Sequence, residues 1–194
     1  MKQILSSIIA LLSFICIQAA ETPVEYFDCG NPIKFDNTDF YFAWSAHPNQ
    51  LYYIQEYLPA GENFEHYTRM LSISVIMVDS SPIDAVKAKI AELDERKKTD
   101  PVTNYVVAEK DGEYILEFIV SDSNNGEVNT VETDLHYYKS MMVNGKKASV
   151  LFFYSTRAYG DNITEFIQSI PEKRASWYKA MEDLHLNITL KELD

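Results

Sequence analysis

Two dipeptides, Asp111-Gly112 and Asn144-Gly145, constrain this chain more than anything else in it. Each stands between runs rich in β-branched and aromatic residues, and each supplies the positive φ angles that a two-residue hairpin turn demands. Val102–Ala108 and Glu113–Val120 therefore read as one hairpin, Val128–Val143 and Lys147–Thr156 as another, with a polar loop from Ser121 to Glu127 between them. Strands joined in this way run antiparallel, so a sheet of repeated strand, helix, strand crossovers does not fit this half of the chain. In the last strand both faces are apolar from Val150 to Phe153, which predicts a central strand covered on both sides.

The first half follows the same logic with shorter pieces. Val24–Phe27, Ile33–Phe35, Phe40–Ala46 and Leu51–Tyr57 are aromatic runs separated by Gly, Pro, Asn and Asp, which predicts short strands. Pro59-Ala60-Gly61 stops the last of them, Asn63–Tyr67 is long enough for one helical turn, and Met70–Val78 resumes as a buried strand. Ser80-Ser81-Pro82 starts a helix with Ile83, Val86, Ile90 and Leu93 on one face, ending near Lys98 before Pro101. A second helix is expected after Asp161, interrupted at Pro171 and resumed from Glu172 to Leu184, and Leu186–Leu190 could add a last short strand. The expected fold is thus α+β: a mainly antiparallel sheet flanked by helices, a three-layer α/β/α sandwich.

The N-terminus bounds where such a chain works. Lys2 precedes an apolar run from Ile4 to Ile17 that closes on Ala19-Ala20, which reads as a signal peptide over residues 1–20, too short to span a membrane. Residues 21–194 are then one α+β domain, exported to the periplasm or secreted by a bacterium. Phe14 and Ile15 are too large for the small residues that favour lipid attachment at Cys16. Loss of Lys2 takes the net charge from −12 to −13, a surface that repels nucleic acid and anionic headgroups and leaves basic protein partners open. Cys29 is the one cysteine left, so no intrachain disulfide is possible, and it reads as a small buried thiol.

Tyr53-Ile-Gln-Glu-Tyr-Leu-Pro-Ala-Gly-Glu-Asn-Phe-Glu-His-Tyr-Thr68, together with Trp44-Ser-Ala-His47, resembles small exported bacterial proteins of unassigned function. In these a strand ends at a Pro-x-Gly turn and a short aromatic helix precedes the next strand. The order of elements also looks like the Mog1/PsbP-like sandwich, whose photosystem and Ran-binding members are accessory proteins, which implies a non-enzymatic role.

Two sets of residues could carry chemistry. Glu62 and His66 are four apart, so a helical turn would bring carboxylate and imidazole to one face, where they could share a divalent metal with a third ligand from elsewhere; Glu65 stands beside them. The plainer reading is a corner between strands, with Phe64 and Tyr67 anchoring it to the sheet. Glu132, Asp134, His136 and Tyr138 share one strand face by the two-residue period, and two carboxylates beside His136 could raise its pKa and make a general base. A solvent-facing strand gives the same alternation. No Gly-x-Ser-x-Gly, His-Glu-x-x-His, phosphate loop or dinucleotide fingerprint occurs, so no cofactor is expected. The sequence thus points to a non-enzymatic accessory or binding protein of the cell envelope, whose partner is another envelope protein or a small apolar ligand bound among its many aromatics. The alternative is a small metal-dependent or hydrolytic periplasmic enzyme.

Overall fold

The computed structural model describes residues 23–191; the expected signal peptide lies outside them. Ten strands and two α-helices follow in order: β1 (Phe27–Asp28), β2 (Ile33–Phe35), β3 (Thr38–Asn49), β4 (Tyr52–Pro59), β5 (Arg69–Ile76), α1 (Pro82–Arg96), β6 (Asn104–Lys110), β7 (Glu113–Asn124), β8 (Glu127–Val143), β9 (Lys146–Tyr159), α2 (Ile163–Glu182) and β10 (Thr189–Leu190), with a 3-10 turn over Gly160–Asn162 leading into α2. Eight of the strands form one antiparallel sheet in the order β2-β3-β4-β5-β9-β8-β7-β6, and β1 pairs with β10 in a separate ribbon.

Both expected hairpin turns form. Asp111 and Gly112 take φ of 55° and 80°, and Asn144 and Gly145 take 46° and 74°. The polar loop expected over 121–127 is instead a third such turn: Asn125 and Gly126 have φ of 53° and 83°, and β7 and β8 run out to meet them. β9 lies between β5 and β8 at the centre of the sheet, as its two apolar faces require.

The expected three-layer sandwich is not what forms. The described residues are mostly strand, with two α-helices. A helix is about 10 Å wide and strands lie about 4.8 Å apart, so one helix covers roughly two strands and cannot make a layer over eight. Each helix is a single rod on its own face, because Ile115 packs in the α2 cluster and the next residue, Leu116, in the α1 cluster. Ile170, Trp177 and Met181 of α2 close the larger core over Tyr57, Leu71, Ile73, Phe152 and Tyr154. Val86 and Leu93 of α1 cover Leu116, Phe118 and Tyr138. Phe27 in β1 and Ile188, just before β10, belong to the same larger core.

The helix expected to break at Pro171 continues through it from Ile163 to Glu182. Proline removes one backbone bond; Trp177 and Met181 beyond it are nevertheless fully packed, and their burial holds the second half in line.

Candidate functional site

The corner between β4 and β5 is built by two side chains. Gly61, at φ 85°, turns the chain out of β4. The Glu62 carboxylate then accepts hydrogen bonds from the Thr68 amide at 2.6 Å, the Thr68 hydroxyl at 2.8 Å and the Arg69 amide at 3.2 Å, closing the loop on itself. Asn63 Oδ1 accepts from the amides of Glu65 and His66, both at 3.0 Å, a side-chain-capped turn that takes the place of the expected helical turn. Glu62 and His66 therefore do not share a helical face. Glu65 and His66 are exposed, and the His66 ring lies 5.1 Å from that of Tyr159. Among the described residues no three His, Cys, Asp or Glu side chains are placed to hold a metal ion.

Of the two aromatics expected to anchor the corner, Tyr67 does so and Phe64 does not: Phe64 is 40% exposed and Tyr67 4%. Tyr67 packs with Leu58, Met70 and Phe153. The Arg157 guanidinium lies 4.1 Å over its ring, its hydroxyl donates to Glu132 at 3.4 Å, and its carbonyl accepts from the Tyr159 hydroxyl at 2.7 Å. Arg157 is also paired with Glu132.

Beneath Tyr67 the sheet carries an unusual set of buried polar residues. Glu132, Asp134, His136 and Tyr138 do share one face, but that face is not turned to solvent: Asp134, His136 and Tyr138 are all buried. Asp134 stands directly opposite Ser155, and neither Asp134 Oδ1 nor Ser155 Oγ has a hydrogen-bond partner. Burial pushes the Asp134 carboxyl up to about 7, against the pull of the Lys89 ammonium. Glu56, in β4 and on the same face, is likewise pushed up to about 7 by burial, against Arg157. His136 is held the other way. Its Nδ1 lies 2.8 Å from the Tyr138 hydroxyl, Phe118 and Phe153 pack edge-on to its ring, and burial pushes its pKa well down. The raised pKa expected of a general base is therefore reversed.

Cys29 is half buried with Sγ 2.9 Å from the Tyr57 hydroxyl, and burial raises its thiol to about 11, so it is a poor nucleophile.

Among the described residues, hollows open beside the corner and beside α2. One, of about 270 Å³, is walled by Tyr41, Ala43, Leu58 and the corner residues Pro59 to Glu62, with the 44% exposed Tyr41 at its rim. The other, of about 220 Å³, lies between α2 and strands β6 to β8, beside the ion pair of Arg174 with the buried Glu117. Sequence reasoning missed Glu56, Ser155, Arg157 and the Glu117–Arg174 pair. Gln55-Glu56 inside an otherwise aromatic run was the visible sign that a strand carries polar groups inward; Ser155 and Arg157 gave none, because their partners are fixed only by strand order.

A protein-family model matches residues 27–186, most of the chain, and the chain belongs to that family. No curated protein matches. Among solved structures, the chain is similar to LpqN, described as involved in cell envelope biogenesis of Mycobacterium tuberculosis, at 14% identity and a TM-score of 0.33, covering 89% of this chain and 88% of that one. The Mog1/PsbP-like resemblance is left without support by the two-helix layout. No helix among the described residues is long and apolar enough to cross a membrane.

Proposed function

We propose that the chain, once residues 1–20 are removed, acts as a single-domain, non-enzymatic binding protein of the bacterial cell envelope, periplasmic or secreted, that captures an apolar side chain of a partner protein in the hollow beside Pro59–Glu62. The observation that carries this reading is the hollow itself, with its apolar walls and the aromatic ring of Tyr41 at its rim. At about 270 Å³ it falls below the roughly 300–1,000 Å³ usual for enclosing a small molecule, but it can take one protruding side chain. The corner side of its wall is preorganised, because Glu62 is already bound to Thr68 and Arg69. The acidic surface favours a partner with a basic rim.

The enzymatic alternative needs either Glu62, Glu65 and His66 or Asp134 and His136 to act on a substrate; the Glu62 carboxylate is taken up by the Thr68 and Arg69 amides, and Asp134 and His136 both lie buried. The test is retention of envelope proteins on the immobilised mature chain, compared with Tyr41→Asp and with Glu65→Gln on the outer side of the corner. The expected result is a protein retained by the native chain and by Glu65→Gln and lost with Tyr41→Asp. Equal retention by all three refutes the hollow as the site, and stoichiometric zinc in the purified protein would favour the enzyme.

A further inference from the structure

We infer that β6 is the docking edge for a second copy of this chain, the two β6 strands pairing antiparallel about a two-fold axis at Val107. Among the described residues β6 ends the sheet, with β7 as its one strand neighbour. Natural edges are usually protected by proline, a bulge or a central lysine. β6 has no proline or bulge, its register with β7 is unbroken, and its charged residues, Glu109 and Lys110, stand together at one end. It is also apolar where it should be polar. Val106 is 56% exposed, Val107 39%, and Ile167 on the adjacent α2 surface 40%.

The hairpin fixes which backbone groups face outward. Lys110 and Glu113 flank the two-residue turn and bond to each other, so Ala108, Val106 and Asn104 also bond to β7. Tyr105, Val107 and Glu109 are left with their N–H and C=O groups on the open side. The Tyr105 amide is met there by the Asn104 side chain at 3.0 Å.

A register centred on Val107 sets these three residues against Glu109, Val107 and Tyr105 of the second copy, each pair exchanging two backbone bonds. It also sets Val106 against Ala108 and Asn104 against Lys110, so no like charges oppose. Lys97 lies 4.0 Å over the Tyr105 ring and 3.6 Å from Asp94, whose carboxylate accepts from the Tyr105 hydroxyl at 3.1 Å, so the Glu109 that meets Tyr105 across the axis arrives beside an ammonium that Asp94 already partly neutralises. The strand is thus complementary to itself in backbone and apolar contact, with no like charges facing each other along it, and this self-matching register is the argument for a second copy as the occupant. An edge of seven residues makes a small interface, so the dimer belongs to the micromolar class.

Sedimentation equilibrium of the mature chain is expected to show monomer and dimer exchanging across the micromolar range. Val107→Lys, which puts two ammonium groups at the axis, should weaken the dimer more than about tenfold. Glu109→Lys should weaken it too, and the added change Lys97→Glu should restore it, a rescue that only this register explains. A native chain that stays monomeric throughout overturns the inference and leaves the edge open to an extended segment of another protein. A dimer indifferent to Val107→Lys overturns it as well, by placing the interface elsewhere.

Discussion

Glu62 shows how a residue that looks reactive can be used up by the backbone. Its carboxylate serves two amides and a hydroxyl, so it is a fastener rather than a free ligand. The energetic order at the corner follows from burial. Tyr67→Ala deletes a packed ring and should lower stability by about 3–5 kcal/mol. Glu62→Ala leaves one exposed and one part-buried amide without their acceptor and should cost about 1 kcal/mol. Phe64→Ala and His66→Ala, both on exposed residues, should stay within about 0.5 kcal/mol. Urea midpoints of the four variants check the order, and a Phe64→Ala loss as large as that of Tyr67→Ala would show that the exposed ring is not idle.

The helices are tied to the sheet by ionic clamps as well as by apolar packing. At the end of α1, Asp100 accepts from the Ser121 amide and hydroxyl, both at 2.7 Å, from Thr103 at 2.8 Å and from Arg96 at 3.1 Å. Burial would push its carboxyl up, but these donors hold it down at about 2. On the other face Arg174 of α2 meets Glu117 of β7 through three contacts of 2.8–2.9 Å. Arg174→Ala would strand a buried carboxylate and should cost about 2–3 kcal/mol, the exposed half of the guanidinium keeping it from the top of the range for buried pairs. Adding Glu117→Gln should recover much of that loss, which thermal melts of the single and double variants can read. The elements themselves were largely legible: turn dipeptides, the Pro82 start and the two-faced β9 are local signals, and local chemistry fixed them. The polar loop over 121–127 was misread although Asn125-Gly126 carries the same turn signal as Asn144-Gly145. What no local signal carried was which strand lies beside which. Asp134 looked solvent-facing because its alternation with apolar neighbours is the same whether β8 sits at an edge or third from the β6 edge, between β7 and β9.

At the scale of the whole molecule, the buried carboxyls of Glu56 and Asp134 make stability depend on pH in an unusual direction. They sit on β4 and β8, with β5 and β9 between them, in one continuous sheet, so neither can reach water without disrupting its centre. Each is held protonated to about 7, whereas the unfolded chain loses the same protons near 4. From about 4 to about 7 the native state therefore binds more protons than the unfolded one, and stability falls as pH rises, by up to about 1.4 kcal/mol per pH unit for each group. Asp100 acts the other way and in another window: its contribution is complete above about 4 and is lost as pH falls toward 2. Repulsion on the acidic surface of a chain with net charge −12 also grows as pH rises, so the two sources must be separated by a variant. Asp134→Asn removes one buried proton while leaving every other acidic group in place. Its urea midpoint, measured from about pH 4 to about pH 8, should fall less steeply than that of the native chain, the two curves converging or crossing toward the alkaline end. Parallel curves would mean that Asp134 is ionised in the folded protein at neutral pH, and that water or a counter-charge reaches Oδ1 behind Tyr67.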